Sequence, residues 1–108
     1  MPRSARRYDL YLPLADNDGR PIAGEVFDDL EARLAARFGG ITTQQRAFPL
    51  RGIWQGTDRL YLDLVVIMTV LDFRPKGSAR FIAELKQSLL REFAQLEILI
   101  TEQPLRVH

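Results

Sequence analysis

The chain of 108 residues has no cysteine, one histidine and one tryptophan. Without cysteine there is no disulfide framework, no thiolate metal ligand and no thiol nucleophile. The histidine is the last residue, His108, so the body of the fold holds no imidazole base and no multi-histidine metal site. Serine hydrolysis goes with it, because Ser4, Ser78 and Ser88 have neither a histidine partner nor a nucleophile elbow. Long apolar runs are also missing. The stretch from Leu64 to Val70, interrupted by Thr69, falls far short of the ~20 residues a membrane span needs. There is no low-complexity tract and no repeat at solenoid spacing.

A strong charge balance is absent as well. Lys and Arg together number 15 against 14 Asp and Glu, for a net charge of +1. Three of the positives, Arg3, Arg6 and Arg7, fall in the first seven residues, leaving a slightly acidic body. That body lacks the basic face of a nucleic-acid binder. The basic start is not followed by the apolar stretch of a signal peptide. Residues 1–7 therefore read as a basic N-terminal extension, 8–108 as a single domain, and the expected location is cytoplasmic. With 46% hydrophobic and 27% charged residues the chain is globular, and its size buries about two-thirds of the unfolded surface.

Periodicity supplies the elements. Leu10, Leu12 and Leu14 alternate on a half-buried strand that Pro13 places at an edge or an end. Asp16-Asn17-Asp18-Gly19 with Glu25 resembles the tail of a calcium loop. The first ligand position would be Leu14, however, and Pro21 interrupts the loop, so it reads as a turn. Phe27, Leu30, Leu34 and Phe38 then form one helical stripe, stopped by Gly39-Gly40, where Gly39 suits a left-handed cap better than an anion nest. Residues 42–48 are polar and ambiguous. Leu50 to Gln55 predicts a short strand, Gly56-Thr57-Asp58-Arg59 a hairpin turn, and Leu60 to Phe73 a long strand. Ser78 is a candidate N-cap for a helix whose stripe is Phe81, Ile82, Leu85, Leu89 and Phe93. Leu96, Ile98 and Ile100 alternate in a last strand stopped near Pro104. The order β-α-β-β-α-β, with right-handed crossovers, predicts a ferredoxin-like α+β fold: a four-stranded antiparallel sheet with two helices on one face.

The long strand is apolar on two sides. Leu60, Leu62, Leu64, Val66, Met68 and Val70 share one face, while the other carries Tyr61, Asp63, Val65, Ile67, Thr69, Leu71 and Phe73. A strand with one wet side alternates more cleanly, so the open face, with Val65, Ile67, Leu71 and Phe73, is expected to pack against a second copy. Within that strand Asp63 needs a partner or a raised pKa, and Arg51, Tyr61, Tyr11 and Trp54 are the candidates. Gly52 beside Trp54 permits a close approach that lets the indole floor a pocket. Tyr11 and Tyr61 sit where an RNA-recognition motif carries its stacking aromatics, but the strand lacks that motif's glycines and holds Asp63 near the phosphate position.

The order Leu10-Tyr11-Leu12, Arg37-Phe38-Gly39-Gly40-Ile41-Thr42, Gly52-Ile53-Trp54-Gln55 and Phe93-Ala94-Gln95 resembles a family of small uncharacterised bacterial proteins, a domain of unknown function. The resemblance implies the fold rather than a chemistry, and it nominates Tyr11, Thr42, Trp54 and Gln95. Two functions follow. The first is a homo-oligomeric binding or accessory protein without catalysis, a homodimer or larger assembly through the open sheet face, with Trp54, Tyr61, Thr42 and Gln95 around a small-molecule ligand. The second is a cofactor-independent enzyme of the dimeric α+β barrel type, a monooxygenase or isomerase, with Asp63 as base and Arg51 and Tyr11 orienting substrate between sheet and helices. No metal, cofactor, nucleic acid or membrane is expected in either. A cavity of several hundred Å³ reaching Asp63 would favour the enzyme, and an Asp63 sealed in a dry ion pair the structural role.

Overall fold

The computed structural model describes residues 2–108 as two helices and a five-stranded antiparallel sheet. The elements are β1 (Arg3–Pro13), α1 (Gly24–Phe38), β2 (Thr42–Thr43), β3 (Leu50–Gln55), β4 (Leu60–Asp72), α2 (Ser78–Glu92) and β5 (Ile100–Val107). β1 and β4 are central. β5 flanks β1, while β2 and β3 share the other edge of β4, β2 against Thr69 and Met68 and β3 against Leu60 to Val65.

Length mismatch shapes the molecule. A 15-residue helix rises about 22 Å, whereas a 13-residue strand runs about 43 Å. The helices cover only the second half of β4, where Val66, Met68 and Val70 are buried. These meet Tyr8, Leu10 and Leu12 of β1 and the stripes of α1 and α2, with Phe27 and Phe93 edge to face at 5.1 Å. The first half of β4 continues with β3 as a projecting hairpin arm, and the protein is 49 Å long but only 28 by 27 Å across.

Several expectations are corrected. The polar segment after Gly40 contributes a two-residue strand of its own, so the sheet has five strands rather than four. Between β2 and β3 the Ile67 amide of β4 would have no strand to bond, and it donates to Gln44 Oε1 at 2.5 Å instead. The expected basic extension belongs, from Arg3 onward, to β1, where Arg3 pairs with Val107 and Arg6 bonds Glu102. β5 starts later than the alternation implied and runs through Pro104, which an edge strand tolerates because one row of its N–H groups needs no partner. Ser78 is not the N-cap of α2. That position is Gly77, left-handed at φ 81°, and Ser78 is buried behind it. Gly39 does close α1 in the left-handed conformation, its N–H bonded to Ala35 O. The Asp16 segment is a turn, with Asp16 Oδ1 accepting from the amides of Asp18 and Arg20. On the open sheet face Val65 is buried and Ile67, Leu71 and Phe73 are half-buried, so the large exposed apolar surface lies elsewhere, on the arm.

Among the described residues no helix is long and apolar enough to cross a membrane.

Burial raises the Tyr8 hydroxyl above its ordinary pKa, and the Glu102 and Asp72 carboxylates push in the same direction. The folded state therefore holds this proton longer than the unfolded chain. Its contribution to stability is complete below pH ~10 and is lost as the pH rises through the folded value. Urea unfolding on either side of that pH is expected to show an alkaline fall in stability that is shallower in Tyr8→Phe; identical slopes would refute the assignment.

Candidate functional site

On the face of the sheet away from the helices, at the base of the arm, lies a cavity of about 370 Å³. β1 supplies Tyr11 and Pro13, β3 supplies Trp54, β4 supplies Asp63 and Val65, and the segment after α2 supplies Gln95, Glu97, Ile98 and Leu99. Four residues singled out in the sequence, Tyr11, Trp54, Asp63 and Gln95, thus come together from four separate segments.

Register explains the convergence. Trp54 pairs with Tyr61, Gly52 with Asp63 and Leu50 with Val65, so these six share the open face with Tyr11, whose neighbours Leu10 and Leu12 are core. The Trp54 indole folds back over Gly52: a Cβ there would stand 3.1 Å from Nε1 and 3.3 Å from Cζ2. The ring is thereby laid beside Asp63, directly across the ladder from that glycine. The far wall is held by polar ties. Gln95 Nε2 donates to the carbonyls of Ala15 and Phe93, each at 2.9 Å, and the Tyr11 amide donates to Leu99 O at 3.0 Å. Lys86 of α2 reaches Glu97 at 2.8 Å, and the Ile98 amide donates to the same carboxylate. The Lys86 hydrogen bond and the Ile98 amide hold the Glu97 carboxyl below its ordinary pKa, so it stays charged into mild acid.

The other nominated residues lie outside this cavity. Arg51 pairs in register with Leu64 and so projects from the opposite face of the arm to Asp63, which rules out the expected pair within one chain. Asp63 is exposed rather than half-buried, and it makes no ion pair among the described residues. Tyr61 sits at the tip, its ring filling the space beside Gly56 and lying under the Arg59 guanidinium at 4.7 Å. Thr42 lies across from Thr69 on a different cavity of about 500 Å³, near Arg7 and the Gly39-Gly40 corner. There Arg7 and Thr69 both donate to Asp9, a polar network the sequence reading missed. The substrate position expected between sheet and helices is filled by the core, and the cavity that reaches Asp63 is on the other face. No cluster of metal-ligating side chains occurs among the described residues.

No family model matches the chain, and no curated protein matches it, so the motif resemblance gains no support from a family. A solved structure shares the fold: a phage SAM lyase in complex with S-methyl-5'-thioadenosine, with a TM-score of 0.64 over 95% of this chain and 88% of that one, at 14% identity. At that identity the likeness is one of fold.

Because the indole rests on a bare Cα, Gly52→Ala is expected to shift the emission of the lone tryptophan while costing no more than about 1 kcal/mol in unfolding. An unchanged spectrum would show that the ring does not depend on that glycine.

Proposed function

We propose that this chain is a cytoplasmic, homo-oligomeric small-molecule-binding protein of ferredoxin-like fold, in which a second copy covers the arm and closes the cavity at its base. The observation that carries the reading is the double position of Trp54, a wall of the cavity and a member of the exposed apolar arm. Besides Trp54, the arm exposes Leu50, Ile53, Leu60, Tyr61, Leu62 and Leu64, a concentration that monomers rarely leave uncovered. Arg51 and Asp63 lie on opposite faces of the arm, so a contact through one face sets its apolar residues against their counterparts in the second copy. A closed two-fold assembly uses such self-complementary surfaces.

The cavity favours a flat, partly apolar ligand bearing a cation or N–H donors. Tyr11 and Trp54 offer aromatic surface, and Asp63 offers a carboxylate without a partner. A second reading, turnover with Asp63 as proton acceptor, is supported by the open cavity reaching Asp63 and by a neighbour in fold that is a lyase. Both readings keep the same ligand chemistry, and S-methyl-5'-thioadenosine and the sulfonium compound SAM are suitable probes of it.

Light scattering on a sizing column at micromolar concentration is expected to give a dimer or larger closed species, with Leu62→Asp shifting it to a folded monomer. A wild-type monomer would remove the assembly claim. Titration with S-methyl-5'-thioadenosine is expected to change Trp54 fluorescence, with affinity reduced about tenfold or more in Asp63→Asn, as for loss of a charged hydrogen-bond partner. No change at millimolar probe would remove this ligand class. Conversion of SAM that disappears in Asp63→Asn with the oligomer intact would replace binding by catalysis.

A further inference from the structure

The cavity of about 500 Å³ beside Thr42 and Thr69 holds a polar network with no part in the Trp54 cavity. It exists because β2 is short. On that side β4 has no strand partner beyond Thr69, and a space opens between the Gly39-Gly40 corner and the side chains of Leu71 and Phe73. Arg7 enters this space from β1. Its Nε donates to both oxygens of Asp9, at 3.1 and 3.2 Å, while its two terminal nitrogens have no hydrogen-bond partner among the described residues. Thr69 is held by the same carboxylate. An ionised carboxylate only accepts, so the Thr69 hydroxyl gives its proton to Asp9 and is left with an oxygen that can only accept.

Charge narrows the ligand. Asp9 balances Arg7, and the negative end of α1 closes at Gly39 in the wall, so the cavity does not favour an anion. What remains is a fork of two donors near one acceptor, among the apolar side chains of Phe38, Ile41, Leu71 and Phe73. A neutral flat ring with two adjacent acceptors and a neighbouring N–H meets these demands, and an arginine fork fits the O6 and N7 edge of a 6-oxopurine in this way. We propose that this cavity binds a 6-oxopurine, as free base or nucleoside. O6 and N7 accept from the terminal nitrogens of Arg7, N1–H donates to Thr69 Oγ1, and Phe38 and Phe73 supply aromatic surface for the ring. A 6-aminopurine turns a donor toward Arg7 where an acceptor is needed. The site shares no residue with the Trp54 cavity and stands or falls independently of the function proposed for that one.

Calorimetric titration of the whole chain with inosine and with adenosine, at neutral pH, is the test. Inosine is expected to bind at least about tenfold tighter, the discrimination of a matched fork against a mismatched one. Hypoxanthine, run in parallel, tells a base site from a nucleoside site: tighter binding of either over the other supports the proposal. Benzoate, a flat anion with no N–H, is expected to bind more weakly than inosine; benzoate as tight as inosine or tighter would make Arg7 a carboxylate site and overturn the proposal. Arg7→Lys, at a side chain 41% exposed, keeps the charge and loses the fork, and is expected to bring inosine and adenosine level. Because Arg7 takes no part in the Trp54 cavity, a preference for inosine that survives in Arg7→Lys arises elsewhere and overturns the proposal. Equal binding of the two nucleosides by the wild type, tighter adenosine, or binding of neither does the same.

Discussion

Two helices of fifteen residues cannot cover a strand of thirteen, and the architecture follows from that disparity. Where the helices lie over β4, its even positions bury Val66, Met68 and Val70, and the sheet has a dry core side. Beyond them the same alternation continues through Leu64, Leu62 and Leu60, with no helix left to receive those side chains. The apolar pattern is regular along the whole strand. The cover is not. A projecting arm with apolar residues on its two faces is the result, and the Trp54 cavity lies in the corner where arm and body meet.

The same strand determines how its outer edge is filled. One continuous partner would have to pass both the helix-covered body and the free arm. The chain instead divides that partner into β2, two residues beside Thr69 and Met68, and β3, six residues beside Leu60 to Val65. Gln44 bridges the gap by accepting the Ile67 amide, and Arg46 anchors the intervening loop to α1 through Asp28 and Glu31. A side-chain amide standing in for a missing backbone carbonyl satisfies one donor without imposing a register, which lets β3 choose its own. That register sets Gly52 across from Asp63 and Trp54 across from Tyr61, and so decides which side chains meet.

Much of this was legible from spacing alone. Period-two alternation in β1 and β4 and the stripes of α1 and α2 name nearly all of the buried residues, because burial on one face is what such spacing records. Gly52 beside Trp54 is legible for a similar reason, since a bare Cα next to a large ring leaves room for it. Other features depend on cross-strand register, which one strand read by itself does not contain. Arg51 and Asp63 are plausible partners by proximity, yet a shift of one residue sends them to opposite faces. β2 was hidden because Thr42-Thr43 is too short to show a period, and Ser78 looked like a cap because it stands at the right distance from the stripe while Gly77 takes the left-handed turn. Glu97 lies in irregular chain, where no period exists to place it.

Asp63 and Asp72 show how much position along one strand decides. The two carboxylates are nine residues apart on β4, an odd interval, so they occupy opposite faces of the sheet. Asp63 falls on the uncovered arm, where water solvates it and charge there is tolerated without a partner in the same chain. Asp72 falls at the covered end, where it is buried, one oxygen accepting the Arg74 amide and the other without a hydrogen-bond partner among the described residues. Parity alone would have placed Asp72 on the core side with Val66, Met68 and Val70. An acid at that step of an apolar ladder is the departure from pattern to look for when a strand has no single wet face. Asp63, singled out in the sequence, is at ease on the arm, while Asp72, which the sequence reading passed over, carries the unmet bond.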